Sequence, residues 1–319
     1  MPPTISYRLY DVFTDERLAG NPLAVVDVRA GDNAARLDAG GAGDQLQAIA
    51  KEFNLSETVF LLSPANPLHT ARLRIYTPDR ELPFAGHPTV GAAVALARDE
   101  VANGLSDGLI LMEEEIGLIR AAVRVPSDAT DRLNGFAEFD LVTHAERFDW
   151  TPDRGDLALA LGLRTDQVGF ENHEPTGFDG GMPYFCVPVH DLAALNEVVP
   201  NGPLFAKTFA GGLGHDGVYI YTRETISAGA QFAARMMWPV GGSVREDPAT
   251  GSAVASLAGA IMHFDAPMEG AQRVCVEQGY AMGRPSQIEL ELTVGPSGAL
   301  HSARLGGNVV CLGEGVLYL

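Results

Sequence analysis

Two short stretches of the 319-residue chain read alike at a fixed distance. Pro83-Phe84-Ala85-Gly86-His87 and Pro248-Ala249-Thr250-Gly251-Ser252 share a P-x-x-G turn, and both the proline and the glycine recur 165 positions on, close to half the chain. Each turn opens a run of small and apolar residues. Val90, Gly91, Ala92, Ala93, Val94, Ala95 and Leu96 follow the first, in a helix expected over 88–98; the second leads a helix expected over 252–263. A helix that is apolar all round has no face for water and must be enclosed. Two enclosed helices half a chain apart predict an ancient duplication into two similar domains.

The sequence around them reads as strands. Runs at 6–13, 23–28, 58–62, 71–76, 109–113 and 118–125 fill the first half, and runs at 183–189, 218–222, 232–237, 273–277 and 287–293 the second. In Arg72-Leu73-Arg74-Ile75-Tyr76 the alternation has period two, as in a strand with one buried face. A further helix is expected over 44–53, with Leu46, Ile49, Ala50 and Phe53 on one face, Asp44 as its N-cap and Asn54 at its end. The polar run Pro126-Ser127-Asp128-Ala129-Thr130-Asp131 supplies a boundary, and Gly295-Pro296-Ser297-Gly298 a second. The segments 308–312 and 315–319 are expected to form a hairpin that returns to the first sheet. The first domain is thus expected over 1–127 plus 303–319 and the second over 128–302.

Composition narrows the function. Asp and Glu total 41 against 22 Lys and Arg, and the net charge of −19 repels a phosphate backbone or an anionic bilayer, so neither nucleic acid nor membrane is an expected partner. The start of the chain lacks a secretory pattern and no run reaches a membrane span, so a soluble cytoplasmic protein is expected. Cys186, Cys275 and Cys311 form no CxxC pair and read as small buried apolar residues. The eight histidines show no HxxxH or HExxH spacing, which argues against a metal site. Gly211-Gly212-Leu213-Gly214 lacks the apolar helix that a dinucleotide site needs, and no G-x-S-x-G elbow occurs. No cofactor is expected.

The helix starts carry the remaining chemistry. Backbone N–H groups in the first turn of a helix have no intrahelical acceptor and hold an anion, so two such turns facing one another can clamp a small carboxylate. The same glycines equally suit tight helix-to-strand packing. Glu57 is a lone acid heading the apolar strand Thr58-Val59-Phe60-Leu61-Leu62. Burial there raises a carboxyl pKa toward that of a general acid/base, whereas a solvent-facing strand start leaves it ordinary. His87 follows Gly86 and can donate to a substrate oxygen; Asp247 precedes Pro248 and either caps the helix or binds a hydroxyl or amino group. Ser252 can point its hydroxyl at the same anion.

Four motifs in order resemble the PhzF-like proteins of phenazine biosynthesis, relatives in fold of diaminopimelate epimerase. They are Asp11-Val12-Phe13-Thr14 with Gly20-Asn21-Pro22-Leu23-Ala24-Val25, then Asn54-Leu55-Ser56-Glu57-Thr58, then Leu82-Pro83-Phe84-Ala85-Gly86-His87-Pro88-Thr89, and last Asp247-Pro248-Ala249-Thr250-Gly251-Ser252-Ala253. The resemblance implies an α+β fold of two similar domains, each a curved, mostly antiparallel sheet or barrel around a central helix, with the active site in the cleft between them. It implies a cofactor-independent isomerase that moves a proton on a small carboxylate, with Glu57 as acid/base and Ser56, Gly86, His87, Asp247, Gly251 and Ser252 binding substrate. It also implies a homodimer. Epimerase relatives pass a proton between two cysteines, but here those positions read His87 and Ser252, so a thiol racemase requires Cys186 or Cys275 to line the cleft. The alternative from another class is a non-catalytic small-molecule or protein-binding module on the same fold.

Overall fold

The computed structural model describes residues 4–29, 43–100, 106–126, 134–150, 153–210 and 217–319. Residues 127–131 of the expected boundary run and the Gly211-Gly212-Leu213-Gly214 segment lie outside the described residues. The chain divides into two compact units, Met1–Asp140 with Gly306–Leu319, and Leu141–Leu305. The fold is α+β.

In the first unit Thr4–Val12 runs antiparallel to Asn21–Asp27, which lies parallel to Glu57–Leu62. That strand is antiparallel to Ala71–Tyr76, itself parallel to Asp107–Glu114, and antiparallel steps follow to Gly117–Arg124 and Asn134–Asp140. The last strand, Leu300–Tyr318, pairs with both Asn134–Asp140 and Thr4–Val12 and closes the ring into a barrel. Residues 308–319 therefore form no hairpin. Tyr10 pairs with Cys311 while Leu9 pairs with Gly313, so the extra residue, Leu312, is absorbed as a bulge and the strand runs on.

The helix Gly86–Asp99 is enclosed, as its composition requires: all residues from Gly86 to Ala97 are buried. Glycine at position 91 is a packing requirement, because a Cβ there would stand 2.3 Å from Leu23 Cδ2. A second apolar cluster lies under Gly43–Phe53, where Leu46, Ile49 and Ala50 meet Val26, Phe60, Leu62 and Tyr76. This helix begins one residue earlier than its sequence suggests, so Asp44 is not the cap. It sits in the first turn, where a carboxylate faces the positive end of the helix dipole. Asn54 ends the helix in the left-handed region at φ 52°, its N–H donating to the Ala50 carbonyl at 3.0 Å.

The second unit repeats the pairing order. Thr176–Asp179 is antiparallel to Pro183–Pro188, which is parallel to Val218–Thr222; that strand is antiparallel to Phe232–Val240, itself parallel to Gly270–Gln278, which is antiparallel to Ser286–Val294. Both units also insert a short return strand before the central helix, Glu81–Leu82 in one and Ser243–Asp247 in the other. The helix Gly251–Ala260 is buried throughout and passes into a π-helical turn, Ile261–Asp265. The core opposite it gathers Leu157, Leu161, Phe185, Phe205 and Phe209. Among the described residues no helix is long and apolar enough to cross a membrane.

Candidate active site

In the first unit the parallel pairing of Asn21–Asp27 with Glu57–Leu62 sets Glu57 level with Leu23, and the short strand Glu81–Leu82 delivers the chain to the start of the central helix. These elements bring Glu57 and His87 together: His87 Nδ1 lies 3.2 Å from Glu57 Oε2 and 3.4 Å from Asn21 Nδ2. The His87 side chain is 5% exposed and that of Glu57 17%. Burial drives the imidazole pKa down to about 3, against a small opposing effect of a backbone hydrogen bond at Pro22. The Glu57–His87 contact is therefore one between a carboxyl group and a neutral ring, not an ion pair. His87 Nε2 is buried and makes no hydrogen bond among the described residues. It presents a lone pair in one tautomer and an N–H in the other, a polar atom with its desolvation already incurred.

Gly86 and His87 are the first two residues of the helix, behind the cap residue Ala85, which makes no side-chain cap bond. Their amides have no acceptor within the helix, and Pro88 brings no N–H at the third position. Thr89 resumes the ladder, its N–H donating to the Ala85 carbonyl at 3.2 Å. Ser56 is half-buried, immediately before the strand that carries Glu57.

In the second unit Asp247 ends the strand Ser243–Asp247 and Gly251 and Ser252 open the central helix. Asp247 does not take the cap position; Thr250 does, and its hydroxyl donates to Asp247 Oδ2 at 2.6 Å. Gln278, at the end of Gly270–Gln278, ties this turn together. Its amide nitrogen donates to the Asp247 carbonyl at 2.8 Å and to Thr250 Oγ1 at 3.1 Å, and its amide oxygen accepts from Thr250 N–H at 3.3 Å and from the Tyr219 hydroxyl at 3.2 Å. Gly279 follows because a Cβ there would lie 2.5 Å from the Pro248 carbonyl, and its φ is +82°. Ser252 Oγ is 2.8 Å from the Tyr184 hydroxyl, both buried.

Asn21 and Thr250 lie within the quoted motifs without a role read for them, and Gln278 and Tyr184 lie outside those motifs. The one signal available was a polar residue beside a glycine at a strand end, as in Gly20-Asn21 and Gln278-Gly279. The cysteines offer no thiolate: burial pushes the Cys186 thiol well above its usual range and that of Cys275 up to about 11.

The family model described as phenazine biosynthesis-like protein, PhzC-PhzF, matches residues 10–315. An uncharacterised isomerase from Mesorhizobium japonicum is 47% identical, with 99% of each chain covered. The trans-2,3-dihydro-3-hydroxyanthranilate isomerase of Pseudomonas chlororaphis is 31% identical over 98% of this chain and 99% of the relative. Among solved structures, a PhzF-family phenazine biosynthesis protein from Bacillus anthracis superposes with a TM-score of 0.82 at 22% identity, covering 99% of this chain and 100% of the other.

Proposed function

This chain belongs to the phenazine biosynthesis-like PhzC-PhzF family and is an isomerase of that type, and from that premise we propose that Glu57 moves a proton from one carbon to another on a small cyclic carboxylate. The observation that carries the reading is the buried contact of Glu57 with a neutral His87 at the start of the central helix. An ionised Glu57 removes a proton from an activated carbon. The electron pair of that C–H bond moves into the adjoining unsaturated system and collects at a second carbon, to which Glu57 returns the same proton. No oxidant or co-reactant enters the balance.

His87 supports this with Nε2, which gives or receives a hydrogen bond at a substrate oxygen or nitrogen without the cost of first shedding water. We assign carboxylate binding to the helix-start amides, Gly86 and His87 in one unit and Gly251 and Ser252 in the other. Ser56 and Asp247 are assigned to its hydroxyl or amino groups. The net charge of −19 makes such local dipoles the natural means of holding an anion. The assembly we propose is a homodimer, which light scattering in solution checks.

The test is proton NMR in D₂O with trans-2,3-dihydro-3-hydroxyanthranilate and a panel of small cyclic and amino carboxylates. Deuterium appearing at carbon with the wild-type protein and not with Glu57→Gln supports the reading and names the substrate class. Exchange that persists undiminished in Glu57→Gln removes that residue from the mechanism.

A further inference from the structure

Glu114 ends the strand Asp107–Glu114 with its carboxyl group buried against the first turn of the central helix. Its Oε1 lies 2.7 Å from Thr89 Oγ1, and Thr89 Oγ1 lies 2.8 Å from the Ala85 carbonyl oxygen. The Ala85 oxygen can only accept, and one hydroxyl hydrogen cannot serve two acceptors. The arrangement that satisfies both contacts has Thr89 donating back to Ala85 and Glu114, as an undissociated acid, donating to Thr89. Glu114 Oε2 is buried without a partner among the described residues, which suits a neutral carboxylic acid and is costly for a carboxylate.

We propose that Glu114 is a positioning residue whose neutral acid, through Thr89, holds the Ala85 carbonyl and with it the turn that presents Gly86 and His87 to an anion. The inference rests on the reading of that turn as a carboxylate holder. Burial raises the Glu114 pKa to about 8, opposed only by the Thr89 hydrogen bond. On the elements packed against it the charged or titratable groups are His87, which is neutral, with Arg98 and Asp99 on the helix, Arg72, Arg74 and Tyr76 on Ala71–Tyr76, and Arg120 and Arg124 on Gly117–Arg124. The residue paired with Glu114 itself is Gly117, which brings no charge. Above its pKa the ionised group draws the Thr89 hydroxyl toward itself, leaves the Ala85 carbonyl with the Thr89 N–H alone and sets a negative charge beside the turn. The relay is then lost and an anion is repelled.

The relay is tested by amide hydrogen exchange at Gly86, His87, Thr89 and Val90, corrected for base catalysis, at about pH 7 and about pH 9.5, in the full-length wild type and in Glu114→Gln and Thr89→Val. Gln keeps a donor toward Thr89 and does not ionise; Val removes the link. Protection in the wild type is expected to fall by about fivefold on going alkaline, the worth of one hydrogen bond, and to stay level in either variant. Equal pH dependence in the wild type and both variants overturns the proposal, as does a wild type that does not change. The second readout is turnover of trans-2,3-dihydro-3-hydroxyanthranilate: KM is expected to rise over the same pH range in the wild type and not in Glu114→Gln, with kcat keeping the same profile in both. A KM rise shared by both proteins contradicts the anion-presenting role. Absence of turnover with this compound counts against the proposed substrate while the exchange result still decides the relay.

Discussion

The two helix starts are built on one plan and finished differently. At Gly251 every polar side chain of the turn is engaged: Thr250 with Asp247 and Gln278, Ser252 with Tyr184, Gln278 with Tyr219. At Gly86 the corresponding region holds buried polar atoms with no partner among the described residues, His87 Nε2, Thr58 Oγ1 and Glu114 Oε2, beside the Glu57 carboxyl group. A saturated turn is rigid and suited to gripping, whereas unsatisfied atoms are tolerated where a ligand supplies the missing bonds. On the proposed reading, the difference teaches a division of labour: the first turn suits proton chemistry and the second suits holding a ligand.

The largest expected effect breaks the comparison through pH. Between pH 6.5 and about 3 the unfolded chain carries a proton on residue 87 that the folded chain lacks, so stability falls as pH falls through that window. The loss is on the order of 4 kcal/mol and is absent in His87→Asn, as urea denaturation across the range would show. Glu114 acts with the opposite sign. Between pH 4.5 and about 8 the folded chain holds a proton that the unfolded chain lacks, so its contribution is complete at the acid end and lost as pH rises, a limb that Glu114→Gln flattens.

Next in size, His87→Asn should lower kcat/KM by about a hundredfold through loss of the Nε2 contact, read from steady-state turnover. In the second unit, Gln278→Ala removes the hydrogen bonds to the Asp247 carbonyl and from the Thr250 N–H and should cost about 2 kcal/mol in chemical denaturation. Tyr184→Phe removes one hydroxyl contact to Ser252 and should cost about 1 kcal/mol, with KM raised by roughly fivefold and kcat unchanged. A Tyr184→Phe enzyme that bound normally but turned over slowly would place chemistry in the second unit as well.

The central helices are legible because they are themselves built almost wholly of small and apolar residues, and their starts lie within two residues of where the turns put them. The 308–319 hairpin was misread because Gly313 has the look of a turn; it marks instead the end of a bulge opposite Leu9, in a strand of 19 residues. Glu57, His87, Asp247 and Ser252 stand in local motifs, and local motifs can be read. Tyr184 and Ser252 are 68 positions apart, Gln278 and Thr250 are 28 apart, and Glu114 and Thr89 are 25 apart. Only the parallel pairings between strands separated by a crossover bring such residues into contact, so single-sequence patterns carried no trace of them.

The division of labour is tested most directly by measuring binding and turnover separately, with calorimetric Kd and kcat for the substrate that exchanges in D₂O, in Glu57→Gln and Ser252→Ala. The account predicts that Glu57→Gln binds within about threefold of wild type and loses about a thousandfold in kcat, while Ser252→Ala loses affinity and keeps kcat. A Ser252→Ala enzyme that binds as wild type and fails to turn over, beside a Glu57→Gln enzyme that does the reverse, would contradict it.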